Sequence, residues 1–156
     1  MTRIFRIVSG GQTGADRAGL DAAMALGVPC GGWCPRGRLA EDGPLSVHYP
    51  LKETPLSDYA QRTEWNVRDS EGTLIFSPGV PTGGTRLTLV LARRLRRPFL
   101  VQAPLKSGVG KIVSWLQANH IKVLNVAGPR ESHCPGIYGQ VREVLLLVLK
   151  KQGRHP

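Results

Sequence analysis

The sequence predicts an α/β fold: a mostly parallel sheet covered by helices on both faces. Three observations carry this expectation. Short apolar runs alternate with stretches of helical periodicity along the whole chain. Those runs hold few polar residues, as strands buried on both faces do. Three of them end in polar, glycine-rich loops, and in a parallel sheet such loops leave from one edge, outside the strand carboxyl ends where ligands sit.

In chain order, Ile4 to Val8 reads as a buried strand. A helix follows from about Ala15 to Leu26, with Leu20, Ala23 and Met24 on its inner face and Gly27 as its stop. A brief strand covers Cys30 to Trp33. The Pro- and Gly-rich stretch from Cys34 to Ser57 reads as a loop, and a loop that long in a compact domain is usually functional or mobile. Asp58 to Asp69 is predicted helical, though weakly amphipathic, and Thr73 to Phe76 is the next strand. The helix after Thr85 carries Leu87, Val90, Leu91 and Leu95 inward and stops before Pro98. Phe99 to Gln102 is a strand, Val109 to His120 a helix with Ile112, Val113 and Leu116 inward, and Lys122 to Val126 a strand. The last helix stacks Ile137, Val141, Val144, Leu145 and Val148, and Lys150, Lys151 and Arg154 read as a solvated tail.

Composition narrows the class. A chain of 156 residues suits a single domain, residues 1–156. No apolar run approaches the length of a bilayer span, and the start of the chain has no signal-peptide anatomy. The 19 glycines and 12 prolines follow no G-X-Y period, so they mark tight loops and not a fibre. Cys30, Cys34 and Cys134 are too few, and odd in number, for a disulfide framework, which predicts a reduced, cytoplasmic setting. A net charge of +10 predicts an anionic partner without choosing among nucleic acid, phosphate ester and oxyanion.

The candidate site residues lie in the loops. Gly10-Gly11-Gln12-Thr13-Gly14, followed by Asp16 and Arg17, joins a strand to a helix start, where glycines and the helix dipole favour an anion. It lacks the Lys-Ser or Lys-Thr of a P-loop and the glycine spacing of a dinucleotide fingerprint. The plainer alternative is a tight turn needing positive φ. Thr82-Gly83-Gly84-Thr85-Arg86, with Thr88, repeats the arrangement at a second helix start, its hydroxyls and Arg86 donating to oxygens, with Thr85 as a helix cap the competing reading. The third loop carries Gly128, Arg130, Glu131 and Ser132, or is simply a solvated turn. Arg62, Asn66 and Asp69 form a polar stripe on the Asp58–Asp69 helix, with Tyr59 and Trp65 beside it, either a ligand wall or simply the wet face. Trp33 with Arg36 and Arg38 places an aromatic plane beside two guanidinium groups, a combination that stacks on a ring and clamps a phosphate.

Signs of chemistry are sparse. Cys30, Cys34, His48, His133 and Cys134 match no recognised zinc spacing, so no metal is predicted. His133 beside Cys134 resembles a nucleophile pair only by adjacency. The cluster Arg93, Arg94, Arg96 and Arg97 fits a helix C-terminus. With 6% aromatic residues and no interleaving of rings with this cluster, nucleic acid ranks last among the partners.

Five segments together resemble a known family. Ser9–Arg17, Gly32–Arg38, Arg62–Asp69, Gly83–Thr85 and Asn125–Ser132 closely resemble, in order and over nearly the whole chain, the molybdenum carrier (molybdenum cofactor carrier-like) family. The resemblance implies a Rossmann-like three-layer sandwich, circularly permuted relative to YpsA-type proteins. Numbering the five predicted strands in chain order, it implies a sheet order of roughly 2-1-5-3-4. It also implies a homo-oligomer, dimer or tetramer, and a ligand that is molybdenum cofactor or a molybdate-type oxyanion, passed on to a molybdoenzyme acceptor.

Related phosphoribohydrolases carry Pro-Gly-Gly-x-Gly-Thr-x-x-Glu, and here Thr88 stands where that motif has its acid. Binding is therefore expected in preference to catalysis, with Asp16 or Glu131 as the substitute acid if the protein hydrolyses nucleoside monophosphates. A nucleotide is the alternative ligand. In the binding role, amides of Gly10–Gly14 and Gly83–Thr85 hold oxygens, Arg17, Arg86 and Arg130 neutralise charge, Trp33 stacks on a ring, and the 34–57 loop acts as a lid.

Overall fold

The computed structural model describes residues 3–153; Met1 and Thr2, at the chain start read above, and Arg154 of the tail lie outside them. The first half of the chain forms β1 (Arg6–Val8), α1 (Ala15–Ala25), β2 (Cys30–Gly31), β3 (Trp33–Cys34), β4 (Lys52–Glu53) and α2 (Tyr59–Arg68). Then come β5 (Gly72–Phe76), α3 (Gly83–Arg94), β6 (Phe99–Gln102), α4 (Val109–Ala118), β7 (Val123–Ala127) and α5 (Ile137–Gly153).

Five strands make one sheet in the order β2-β1-β7-β5-β6, which is the expected 2-1-5-3-4, and every neighbouring pair is parallel. Ile7 faces Cys30 on one side and Leu124 on the other, and Leu124 in turn faces Gly72. The last strand in the chain thus fills the centre of the sheet. It can do so because β7 is apolar along most of its length, with Leu124 and Val126 fully buried. Its one polar inner residue, Asn125, donates through Nδ2 to Thr73 Oγ1 on β5 at 3.2 Å, so neither group is buried unpaired.

The main core joins the sheet to α1, α4 and α5 through Ile7, Ala18, Ala22, Leu74, Ile112, Leu116, Leu124 and the α5 row Ile137, Val141, Leu145 and Val148. On α5 the expected row is buried throughout; Lys150 and Lys151 are exposed beyond it. Helices α2 and α3 pack on each other, and α3 lies on β5 and β6.

Three expectations need correction. Met24 is 36% exposed, because the inner face of α1 is carried by its alanines with Leu20. On α3 the buried residues are Thr85, Thr88, Leu91 and Ala92, while Val90 faces outward at 37% exposure and Leu87 and Leu95 are half-buried. The first turns of that helix therefore turn hydroxyls inward, toward the carboxyl edge of the sheet. The third correction concerns Cys30–Trp33, which is two strands in two sheets. Gly32, at φ +120°, has no room for a Cβ against the Ser9 backbone and the Asn66 side chain. The kink it permits carries Trp33 and Cys34 out of the main sheet and into parallel pairing with Lys52 and Glu53.

The 34–57 stretch is accordingly a small lobe with its own interior, and not an open loop. Leu45, Tyr49 and Leu51 pack with Cys34 against Leu20 of α1. Arg38, itself at φ +56°, donates to the carbonyls of Leu45, Leu51, Ser46 and Tyr49 at 2.7–3.2 Å. Asp42 pairs with Arg17 at 2.5 Å, and Asp21 of α1 accepts from the hydroxyls of both Tyr49 and Tyr138.

Candidate functional site

Because β7 lies between β1 and β5, the loops that follow these three strands are neighbours at one edge of the sheet. Between them opens a cleft of about 270 Å³. Of the expected site residues, Gly10, Gln12 and Asp16 from the first loop and helix, Gly84 and Thr85 from the start of α3, and Gly128 and Arg130 after β7 line it. Arg62 and Asn66 reach the same wall from α2. The polar stripe of α2 is thus its buried side: Arg62 is 8% and Asn66 3% exposed.

The floor is an ion pair. Arg62 Nη1 donates to the Gly10 carbonyl at 2.7 Å and stands 3.7 Å from Asp16 Oδ2, with both side chains about nine-tenths buried. Burial pushes the Asp16 carboxyl above its ordinary pKa, against the pull of Arg62, the Gln12 N–H, Arg17 and Arg130. Tyr59 spans the two arginines of the wall: its ring lies 5.0 Å from the Arg62 guanidinium and 5.5 Å from that of Arg130.

Within the expected amide nest of Gly10–Gly14, the N–H groups of Gly11, Gln12 and Thr13 already have internal acceptors, as does that of Ala15 beyond it. Asp16 Oδ2 takes the Gln12 N–H at 3.3 Å, Gln12 Oε1 takes that of Thr13 at 3.0 Å, and the Pro129 carbonyl takes that of Ala15 at 3.1 Å. Gly14, at φ +80° and ψ −131°, lies so close to this third loop that a Cβ would collide with the Pro129 carbonyl. Asp16 supplies the negative charge that a helix start favours. The loop also holds a side-chain donor. Gln12 is 5% exposed, its Oε1 is held by the N–H groups of Thr13 and Glu41, and its Nε2 has no hydrogen-bond partner among the described residues.

The remaining expected residues face elsewhere. Gly11 lies against Leu45 and Leu51, and Arg17 bridges Asp42 and the Gly11 carbonyl. Trp33 donates its indole N–H to Asp69 at 2.8 Å and meets Trp65 edge-on at 4.8 Å, while Asn66 holds its backbone N–H and C=O. It is therefore not a stacking platform for the cleft, and Arg38 is not a phosphate clamp. Gly83, at φ +53°, and Arg86 are exposed at the start of α3, outside the cleft wall. Thr82, and not Thr85, takes the N-cap position there: its carbonyl accepts from Thr85 and Arg86 N–H, without a side-chain cap.

Glu131 accepts the N–H groups of Gly136 and Tyr138 at 2.6 and 3.0 Å, capping α5, which removes it as a substitute acid. Thr13 and Ser132 both bind Glu41 of the lobe. No residue of 34–57 lines the cleft, so the lobe does not lie over it as a lid would.

Sequence reasoning did not name Tyr59, Thr63, Ser77, Asn125, His133 and Cys134 as binding residues, though they line the cleft, and Thr88 of the second loop lines it too. Thr63 and Asn125 fell inside the resembling segments, Tyr59 lay beside the polar stripe, Thr88 stood at the motif's acid position, and His133 and Cys134 were noted by adjacency; Ser77 carried no signal. The Thr88 hydroxyl donates back to the Gly84 carbonyl at 3.1 Å. Cys30, Cys34 and Cys134 are free thiols, and burial raises the pKa of the first two. Among the described residues no group of three His, Cys, Asp or Glu side chains is placed to hold a metal ion, and no helix is long and apolar enough to cross a membrane.

Comparison with known proteins places this geometry. No curated protein matches the chain. The crystal structure of the "Putative molybdenum carrier protein" from Syntrophus aciditrophicus SB, at 1.45 Å resolution, is 47% identical and superposes with a TM-score of 0.91, covering 95% of this chain and 96% of that one. The sequence model of the Circularly permutated YpsA SLOG family matches residues 7–149, from the first strand into the last helix. Agreement in strand order, loop placement and sequence leads to one conclusion: the chain belongs to the circularly permutated YpsA SLOG family.

Proposed function

We propose that the protein binds and carries a small oxyanion, molybdate-type or the anionic end of molybdenum cofactor, in the cleft between the β1, β5 and β7 loops. One observation carries the reading: a buried amide donor, Gln12 Nε2, has no acceptor in a wall that also presents Arg62 and Arg130. A buried donor left unpaired costs about 1–3 kcal/mol, and an oxyanion seated there removes that cost. Size favours the same class. A cleft of 270 Å³ lies just under the usual range for organic ligands, roughly 300–1,000 Å³, so it fits an oxyanion or one end of a larger cofactor.

Hydrolysis of a nucleoside monophosphate is the rival. Thr88 in place of the acid, Glu131 capping α5 and Asp16 paired to Arg62 leave no free carboxylate for it, which favours binding. The name of the Syntrophus protein supports the carrier role. A single domain working as a cytoplasmic dimer or tetramer that delivers to a molybdoenzyme completes the proposal.

Native mass spectrometry with elemental analysis, on protein from molybdate-grown cells, tests it. Retained molybdenum, lost in Arg130→Ala, is the expected result, with two or four subunits per particle. Absence of molybdenum and pterin, together with release of free base from nucleoside monophosphates, would replace it with the hydrolase.

A further inference from the structure

The lobe places a carboxylate where the first and third loops meet. Glu41 Oε1 accepts from Thr13 Oγ1 at 2.5 Å and from Ser132 N–H at 3.2 Å; Glu41 Oε2 accepts from Ser132 Oγ at 2.6 Å and stands 3.9 Å from Arg130 Nη1. Glu41 is an exposed residue at the rim, with its side chain 20% exposed. Two hydroxyls, one amide and one guanidinium converging on two oxygens form a donor set suited to any compact oxyanion, not to a carboxylate in particular. Arg130 belongs at once to this set and to the cleft wall, and Gln12 links the two: its Oε1 takes the Glu41 N–H at 2.8 Å, and its Nε2 is the buried donor without a partner.

We propose that Thr13, Ser132 and Arg130 form an oxyanion subsite at the rim of the cleft, that Glu41 is its built-in occupant, and that ligand oxygens enter it by displacing Glu41. The inference rests on the reading that the cleft takes an oxyanion, and it adds how that site is gated. Displacement need not unfold the lobe. Asp42 stays tied to Arg17 at 2.5 Å, Tyr49 to Asp21 at 2.7 Å, and Arg38 to its carbonyls, so only the Glu41 side chain turns away. An internal competitor lowers apparent affinity by the fraction of time the subsite is free.

Calorimetry on the full chain with sodium molybdate, and separately with inorganic phosphate, tests the idea. Glu41→Ala is expected to bind about tenfold more tightly than the unmodified protein, as for a subsite free about a tenth of the time. Glu41→Gln, which keeps the shape but not the charge, should fall between. Asp42→Ala, which breaks the neighbouring bridge without clearing the donors, should bind as before.

Equal affinity in Glu41→Ala and the unmodified protein overturns the subsite while leaving a carrier that binds molybdate through the cleft alone. A matching gain in Asp42→Ala overturns it too, assigning the effect to lobe mobility. Failure of every variant to bind either anion removes the subsite and the carrier reading together.

Discussion

The cleft and the 34–57 lobe are both polar, and both border the loop after β1, yet their polar groups are in opposite states. In the lobe, Arg38 donates to four carbonyls, Asp42 meets Arg17, Glu53 accepts the Gly37 N–H at 2.7 Å and Tyr49 donates to Asp21. In the cleft, Gln12 Nε2 has no partner and Asp16 is held ionisable in a buried pair. Internal pairing of a charged loop makes it scaffold. Arg17 Nε beside the lobe and Gln152 Nε2 on α5 are also buried without a partner, so an unpaired donor points to an outside acceptor only where it faces an open cleft, as that of Gln12 does. Charge density alone does not separate the two, which is why Trp33, Arg36 and Arg38 look like a binding motif in the sequence.

The largest expected effect comes from Arg62→Ala. It leaves Asp16 buried without its cation, and breaking one side of such a pair costs about 3–5 kcal/mol. Urea denaturation measures it; a loss below about 1 kcal/mol would mean that the cleft floor is as relaxed as the surface. Arg38→Ala sharpens the contrast from the other side. Removing one donor from four partly buried carbonyls should cost about 2 kcal/mol and loosen amide protection across 38–51, while anion affinity stays within twofold. Loss of anion binding in that variant would show that lobe and cleft act as one unit.

The smallest effect is a pH dependence. Burial raises the Asp16 pKa, so its folded form takes up a proton at a higher pH than an exposed aspartate. As pH falls through that point the cleft loses a negative charge, and affinity for phosphate or molybdate should rise by up to about tenfold. Asp16→Asn should abolish the rise. Glu41 and Asp42 behave oppositely. Hydrogen bonds from Ser132 and Thr13 lower the pKa of the first, and Arg17 that of the second. Their contribution to stability is present above the ordinary carboxylate range and is lost only as pH falls below it. The affinity rise should therefore precede any loosening of the lobe, as read by tryptophan fluorescence across a pH titration.

Much of the site was legible because local sequence encodes it. Gly10, Gln12, Asp16, Gly84, Thr85, Gly128 and Arg130 stand at strand-to-helix junctions, and a parallel sheet sends such junctions to one edge whatever the rest of the chain does. Ser77 was not legible, and Tyr59 and Asn125 were visible only as neighbours of a polar stripe and of a motif, since nothing near them in sequence says which side of an element meets a loop from elsewhere. Thr13, Arg17, Glu131 and Ser132 carried the right chemistry, but their partners lie 25 to 28 residues away for the first two, in the lobe, and at α5 and Glu41 for the others.

The sequence by itself determined the class of fold, the alternation of strand and helix, and the three junctions that become the cleft, because apolar periodicity and glycine placement act over a few residues. The motif resemblance supplied the placement of the last strand. Only the tertiary structure decided which donors remain open, because pairing depends on distances between residues far apart in the chain. Arg38 closing on four carbonyls, Asp16 taking an amide of its own loop and Glu41 reaching Ser132 are events of packing, and it is packing that leaves Gln12 with a donor to offer.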